Sequence, residues 1–133
     1  MAAKAVNKNE QVFKKNELET WDRENVAGGK GMFSGKFSFT RNNAKPEYTI
    51  KEIGWMTLLP GDFLGVHAHT DNEDSYIVIS GVGEFTDNDG VVTKIEAGDI
   101  TITRAGQSHA IKNIGEEPLI FLDIVAKDSE AKK

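Results

Sequence analysis

At 133 residues, with 38% apolar and 28% charged side chains, the chain carries enough material for one hydrophobic core and one domain. It has no cysteine, which excludes disulfides and thiolate metal sites, so any metal must be held by nitrogen and oxygen. Sixteen basic against 21 acidic residues give a formal net charge of −5, the wrong sign for a nucleic-acid partner.

The first residues, "MAAKAVNKNEQVFKK", are locally basic but have neither a long apolar run nor a small-residue cleavage site, so they do not read as a secretory leader. No stretch approaches the ~20 apolar residues that span a bilayer, and the expected location is cytoplasmic. Residues 1–30 are expected to form a partly flexible lead-in. Val12, Phe13, Leu18 and Trp21 are its large apolar anchors, enough for a short strand and one helical turn. "GGKGMFSGK" (Gly28–Lys36) invites a phosphate-loop reading that fails on spacing: Lys30 stands where glycine is needed and Phe37 where Ser or Thr is needed.

From Met32 the pattern changes. "MFSGKFSFT" alternates apolar and polar residues, the mark of a half-buried strand. Further strands are predicted at Tyr48–Leu59, Phe63–His69, Ser75–Ile79, Gly83–Thr86, Val91–Glu96, Ile100–Arg104, His109–Asn113 and Leu119–Val125. The turn signals "LPGD", "TDNED", "DNDG", "EAGD", "RAGQ" and "IGEEP" separate them. Many short strands at near-regular spacing indicate an all-β sandwich or barrel over residues 31–125. The last residues, 126–133, are small and charged and are expected to form a flexible tail.

His67 and His69 stand at i and i+2 in "GVHAHT", which puts both imidazoles on one face of a strand. His109, forty residues later, begins another predicted strand that a barrel can place alongside. These are all three histidines of the chain. Around them the glycines and acids fall at defined intervals: Gly61, His67, His69, the pair Glu73–Asp74 and Gly81, then Gly98, Asp99, Arg104, Gly106, His109 and Asn113.

In these intervals the chain resembles the cupin superfamily, in particular its small single-domain bacterial-type members. "GDFLGVHAHTDNEDSYIVISG" (Gly61–Gly81) matches the first cupin motif, G-x5-H-x-H-x3–4-E-x6-G, and "GDITITRAGQSHAIKN" (Gly98–Asn113) matches the second, G-x5-P-x-G-x2-H-x3-N. The resemblance covers roughly residues 50–125. It implies a jelly-roll (double-stranded β-helix) barrel with one divalent transition metal per subunit on His67, His69, His109 and an acid, and it implies a homodimer. The outward apolar pair Ile77 and Ile79 is consistent with such a dimer.

The chain departs from the pattern twice. Arg104 replaces the proline of the second motif, which leaves the turn before His109 less fixed. The acidic ligand is either Asp74, which satisfies the count from both His69 and Gly81, or Glu73, which fits only the shorter spacing. Aspartate is one methylene shorter than glutamate, which favours an open site of three imidazoles plus solvent.

Fe, Mn, Ni, Co, Cu and Zn all suit such donors. Protonated imidazole cannot ligate, so metal affinity should fall below the ordinary histidine pKa of ~6.5. Tyr76, in phase with Asp74, is a candidate catalytic residue, as are Arg104 and Gln107 beside His109, the arginine being suited to a carboxylate. Trp55, Met56, Phe63 and Phe85 are further candidates for pocket walls. Two functional readings follow. One is a metalloenzyme acting on a small polar metabolite that chelates the metal, of dioxygenase, decarboxylase, isomerase or lyase type. The other is a non-catalytic small-molecule or metal-binding sensor module.

Overall fold

Alternation of apolar and polar residues builds nearly every element of the chain. The computed structural model describes residues 11–127. Ahead of the barrel lie a 3-10 turn at Lys15–Glu17, two short strands, β1 (Glu19–Thr20) and β2 (Arg23–Glu24), and a second turn at Val26–Gly28. The barrel strands are β3 (Met32–Phe39), β4 (Ile50–Leu58), β5 (Phe63–Ala68), β6 (Asn72–Ser80), β7 (Val82–Thr86), β8 (Val92–Glu96), β9 (Ile100–Thr103), β10 (Ser108–Asn113) and β11 (Leu119–Lys127). Each overlaps a strand expected from the sequence, usually within a residue or two. The largest difference is β6, which begins three residues earlier than expected and so takes in the acids Glu73 and Asp74. The expected tail is described only at Ala126 and Lys127, which continue β11; residues 128–133 lie outside the described residues.

All pairings are antiparallel and close two facing sheets. The larger runs in the order β1-β3-β4-β11-β6-β9, with β2 also on β3, and the smaller in the order β5-β10-β7-β8. This is an all-β jelly-roll barrel. Its core lies between the sheets, with Phe37, Met56, Leu58, Val78, Leu119 and Phe121 from the larger and Leu64, Phe85, Ile95 and Ile111 from the smaller. Phe121 is fully buried, stacked on Phe33 at 6.0 Å and tilted against Tyr76 at 4.6 Å between ring centroids. Truncating such a ring to alanine costs about 3–5 kcal/mol in comparable cores.

Towards one end the inward positions turn polar. Glu52 on β4 is in phase with Met56 and Leu58, and Asp123 on β11 is in phase with Leu119, Phe121 and Val125, yet both carboxyls are buried. Asp74 does the same on β6, in phase with Tyr76 and Val78. The segment before β3 covers this end. It is fixed by backbone bonds from Trp21 to Gly35 and between Lys30 and Phe63, and by an approach to β5 so close that a Cβ at Gly65 would stand 1.9 Å from the Ala27 carbonyl. Only glycine at position 65 permits that contact.

Candidate metal centre

His67 and His109 are direct cross-strand partners on β5 and β10. His69 follows just past β5 on the same side as His67, its backbone N–H donating to the Gln107 carbonyl and its carbonyl accepting from Gly106. The turn that delivers His109 therefore also holds His69. Where the motif has proline, the backbone N–H of Arg104 donates to Gln107 Oε1 at 2.9 Å, and Gly106 takes a φ of 87°. A side-chain hydrogen bond and a left-handed glycine fix the turn that the missing proline would have stiffened.

The three rings converge. One ring nitrogen from each lies within 4.8 Å of the other two, and the Nε2 atoms of His67 and His109 are 3.1 Å apart. Two nitrogens each bound ~2.0–2.1 Å from one ion stand about 3 Å apart, so the spacing suits a shared cation. The far side of each ring is tied down as well. Nδ1 of His67 meets the Gly65 carbonyl, Nδ1 of His69 meets Asn72 Oδ1 and Nδ1 of His109 meets Thr103 Oγ1, each at 2.7 Å. A carbonyl oxygen can only accept, so Nδ1 of His67 and of His69 carries the proton and Nε2 keeps its lone pair. His69 Nε2 is buried with no hydrogen-bond partner. The Thr103 hydroxyl can donate or accept, so the 3.1 Å between His67 Nε2 and His109 Nε2 can be bridged by a proton or by a shared cation. This donor set fits a metal ion, and the three histidines form a cluster that could hold one.

Electrostatics keep the donors ready. Burial, reinforced by His67 and His69, pushes His109 down to about 3, and burial also lowers His67. Neutral imidazole is the ligating form.

Asp74 is buried beside the rings, its Oδ2 3.1 Å from His69 Nε2 and 3.6 Å from His109 Nε2. Glu73, the other acid the sequence left open, turns outward and pairs with Arg104 at 3.1 Å. Tyr76 is buried and stacks on His109, with centroids 5.2 Å apart and planes at 19°. Arg104 and Gln107 do not line the cavity at the histidines; the Arg104 side chain is 61% exposed, and Gln107 is occupied with the turn. Of the other expected wall residues, Met56 and Phe85 are core, Phe63 is half-buried, and Trp55 faces outward at 44% exposure.

His67, His69 and Asp74 open onto a cavity of about 340 Å³. Glu52, Asp123, Arg23 and Arg41 line it as well. Asp123 lies within hydrogen-bond reach of both Asp74 and Glu52. Carboxyls in contact hold their protons more tightly, because burial and mutual repulsion disfavour their charged forms. Burial and then Asp123 push Glu52 up to about 7, burial pushes Asp74 up to about 6, and burial and then Asp74 push Asp123 well above the usual carboxylate range. Arg41 Nε pairs with Glu52 Oε1 at 3.2 Å. The signal that could have found Glu52 and Asp123 is phase: each is a charge in the inward register of an otherwise apolar strand.

Comparison with known proteins agrees with this architecture. A family model described as a cupin domain matches residues 54–125. An oxalate-binding protein of Thermotoga maritima is 31% identical over 114 residues, 86% of this chain and 92% of the relative. A gentisate 1,2-dioxygenase of a Ralstonia species is 36% identical over 73 residues, 55% of this chain but only 20% of the relative. The crystal structure of a predicted oxalate decarboxylase from Thermotoga maritima superposes with a TM-score of 0.78 and 30% identity, covering 88% of this chain and 99% of that one.

Proposed function

The chain belongs to the cupin domain family, and from that premise we propose that it binds one divalent transition metal through His67, His69 and His109 and uses it to hold a small carboxylic acid. The observation that carries this reading is the convergence of three imidazoles whose far nitrogens are each tied to an oxygen. Oxalate and gentisate, the ligands in the names of two relatives, share one chemistry: a carboxylate with a second oxygen placed to close a chelate ring.

When bound, the metal supplies Lewis acidity and a chelation point. The chain's own residues do the rest. Asp74, beside the rings and in contact with Asp123, holds or yields a proton next to the ligand, or adds a carboxylate oxygen to the donor set. Tyr76 keeps the His109 ring in plane and walls the cavity. This arrangement suits a metalloenzyme of decarboxylase or dioxygenase type. The second reading, a non-catalytic binding module, is supported by the relative that is called a binding protein and is matched over nearly its whole length.

The test is elemental analysis of purified protein together with calorimetric titration of oxalate. One metal per chain and metal-dependent binding are expected; a chain that takes up no divalent metal would refute the reading. Product analysis of the loaded protein under air and under nitrogen then separates enzyme from binder.

The proposed assembly is a homodimer through the outer face of the larger sheet. Trp55, Leu122, Ile77 and Ile100 form one cross-strand row there, with Ile79 and Ile102 nearby. An exposed apolar surface of that extent is unusual on a monomer. Sedimentation should give twice the chain mass, and Ile100→Lys should return it to the monomer.

A further inference from the structure

Arg23 was invisible as a site residue in the sequence, yet it stands in the wall of the same cavity as His67 and His69. Its guanidinium lies 3.9 Å from the Trp21 ring centroid and 5.2 Å from that of Phe33, which leaves it little freedom. Pairing of β2 with β3, Arg23 opposite Phe33, fixes its backbone. Its Nε is buried with no hydrogen-bond partner, whereas Arg41 beside it spends Nε on Glu52. A buried guanidinium N–H without an acceptor is costly unless a ligand completes it. Arg41 lines the same cavity, so two guanidinium groups border the space a ligand would fill.

We propose that Arg23 recognises a second carboxylate of the ligand, one that the histidine end of the cavity does not hold, and so selects short dicarboxylates over monocarboxylates. The inference rests on the metal-and-carboxylate reading above and adds to it the residue that reads the distal group. A planar fork of N–H donors matches a carboxylate, and a side chain already clamped by two aromatic rings loses little freedom on binding. At about 340 Å³ the cavity is at the small end for ligand sites and suits an acid of a few carbons.

The test is calorimetry of malonate and acetate on the metal-loaded chain, with metal content measured in parallel. Arg23→Ala should weaken malonate about 10- to 100-fold and acetate by less than about 3-fold, with metal content unchanged. Arg23→Lys, which keeps the charge and loses the fork, should fall between wild type and Arg23→Ala for malonate. Equal weakening of both acids, or no change in either, would overturn the proposal, because a guanidinium that only balances the buried carboxyls would not distinguish one carboxylate from two. If Arg23→Ala does not fold, Arg23→Gln and Arg23→Lys carry the same comparison. A wild-type chain that holds no metal refutes the metal reading instead, and the malonate-to-acetate ratio on that metal-free protein still judges Arg23.

Discussion

The two walls of the cavity solve one problem in opposite ways. The histidine wall comes from the smaller sheet, with His67 and His109 on paired strands and His69 at the adjoining turn. The carboxyl wall comes from the larger sheet and the leading segment: Glu52 on β4, Asp74 on β6, Asp123 on β11 and Arg23 on β2. Burial acts on both and disfavours charge on both. It strips protons from the imidazoles, taking His109 to about 3, and retains them on the carboxyls, taking Glu52 to about 7. One wall thereby offers lone pairs and the other stores protons. The two sets of groups meet at Asp74, whose Oδ2 lies 3.1 Å from His69 Nε2.

The contrast breaks most completely at His109. His109→Ala removes a donor at the point where the two strands pair, and metal affinity should fall by more than the ~10- to 100-fold typical of losing a group that merely orients a ligand. Elemental analysis after dialysis reads this directly. Retention of metal by the variant would mean that the carboxyl wall, not the histidines, holds the ion.

Glu52→Gln tests the other wall through pH. The Glu52 carboxyl binds its proton more tightly in the folded chain, at about 7, than at its ordinary value of 4.5. Between those values the folded state carries the extra proton, so this contribution to stability is complete below about 4.5 and lost as pH rises through about 7. Glutamine mimics the protonated form at every pH. The stability of Glu52→Gln relative to wild type should therefore improve from pH 4.5 to pH 8 by on the order of 3 kcal/mol, measured by denaturant titration of the metal-free protein. His109 works in the opposite sense. Its folded value lies below its ordinary one, so its contribution is present above about 6.5 and is lost as pH falls towards 3. A gap between variant and wild type that stays constant with pH would show that Glu52 is ionised throughout.

These walls also differ in how much of each could be read in the sequence. The histidine wall is built from residues at fixed intervals around tight turns, and local geometry carries such intervals: i and i+2 on one face, a glycine at a left-handed turn, a histidine opening the next strand. The jelly-roll was legible for the same reason, since alternation and turn residues are local properties. Arg23, Glu52 and Asp123 are a hundred residues apart from first to last, and meet only because β4 and β11 pair and the leading segment lies across the barrel's end. No local interval encodes that meeting. Residues 1–30 read as a lead-in because their large apolar anchors are sparse; the hold of the described part on the barrel comes from backbone pairing and the Gly65 contact, which composition does not reveal.

Thr103→Val should have a smaller and more selective effect. It removes the Oγ1 partner of His109 Nδ1 while keeping the side-chain volume, so the ring loses its orientation and not its place. Metal affinity should weaken about 10- to 100-fold with little change in the metal-free melting temperature. A variant that destabilises the fold while binding metal as before would assign Thr103 to packing alone.

The smallest expected effect belongs to the arginine that sequence position favours. Arg104 sits five residues before His109, but its guanidinium turns to Glu73 on the surface, outside the cavity lining. An ion pair this exposed is worth ~0–1 kcal/mol, and Arg104→Ala should leave both metal content and malonate affinity within error of wild type. Set beside Arg23→Ala, it asks whether sequence proximity to the metal motif or placement in the carboxyl wall determines which cation meets the ligand. A loss of malonate affinity in Arg104→Ala matching that expected for Arg23→Ala would mean that the loop from 104 to 107 folds inward on the ligand. The distal carboxylate would then be read from the histidine side, and the division of labour between the walls would fail.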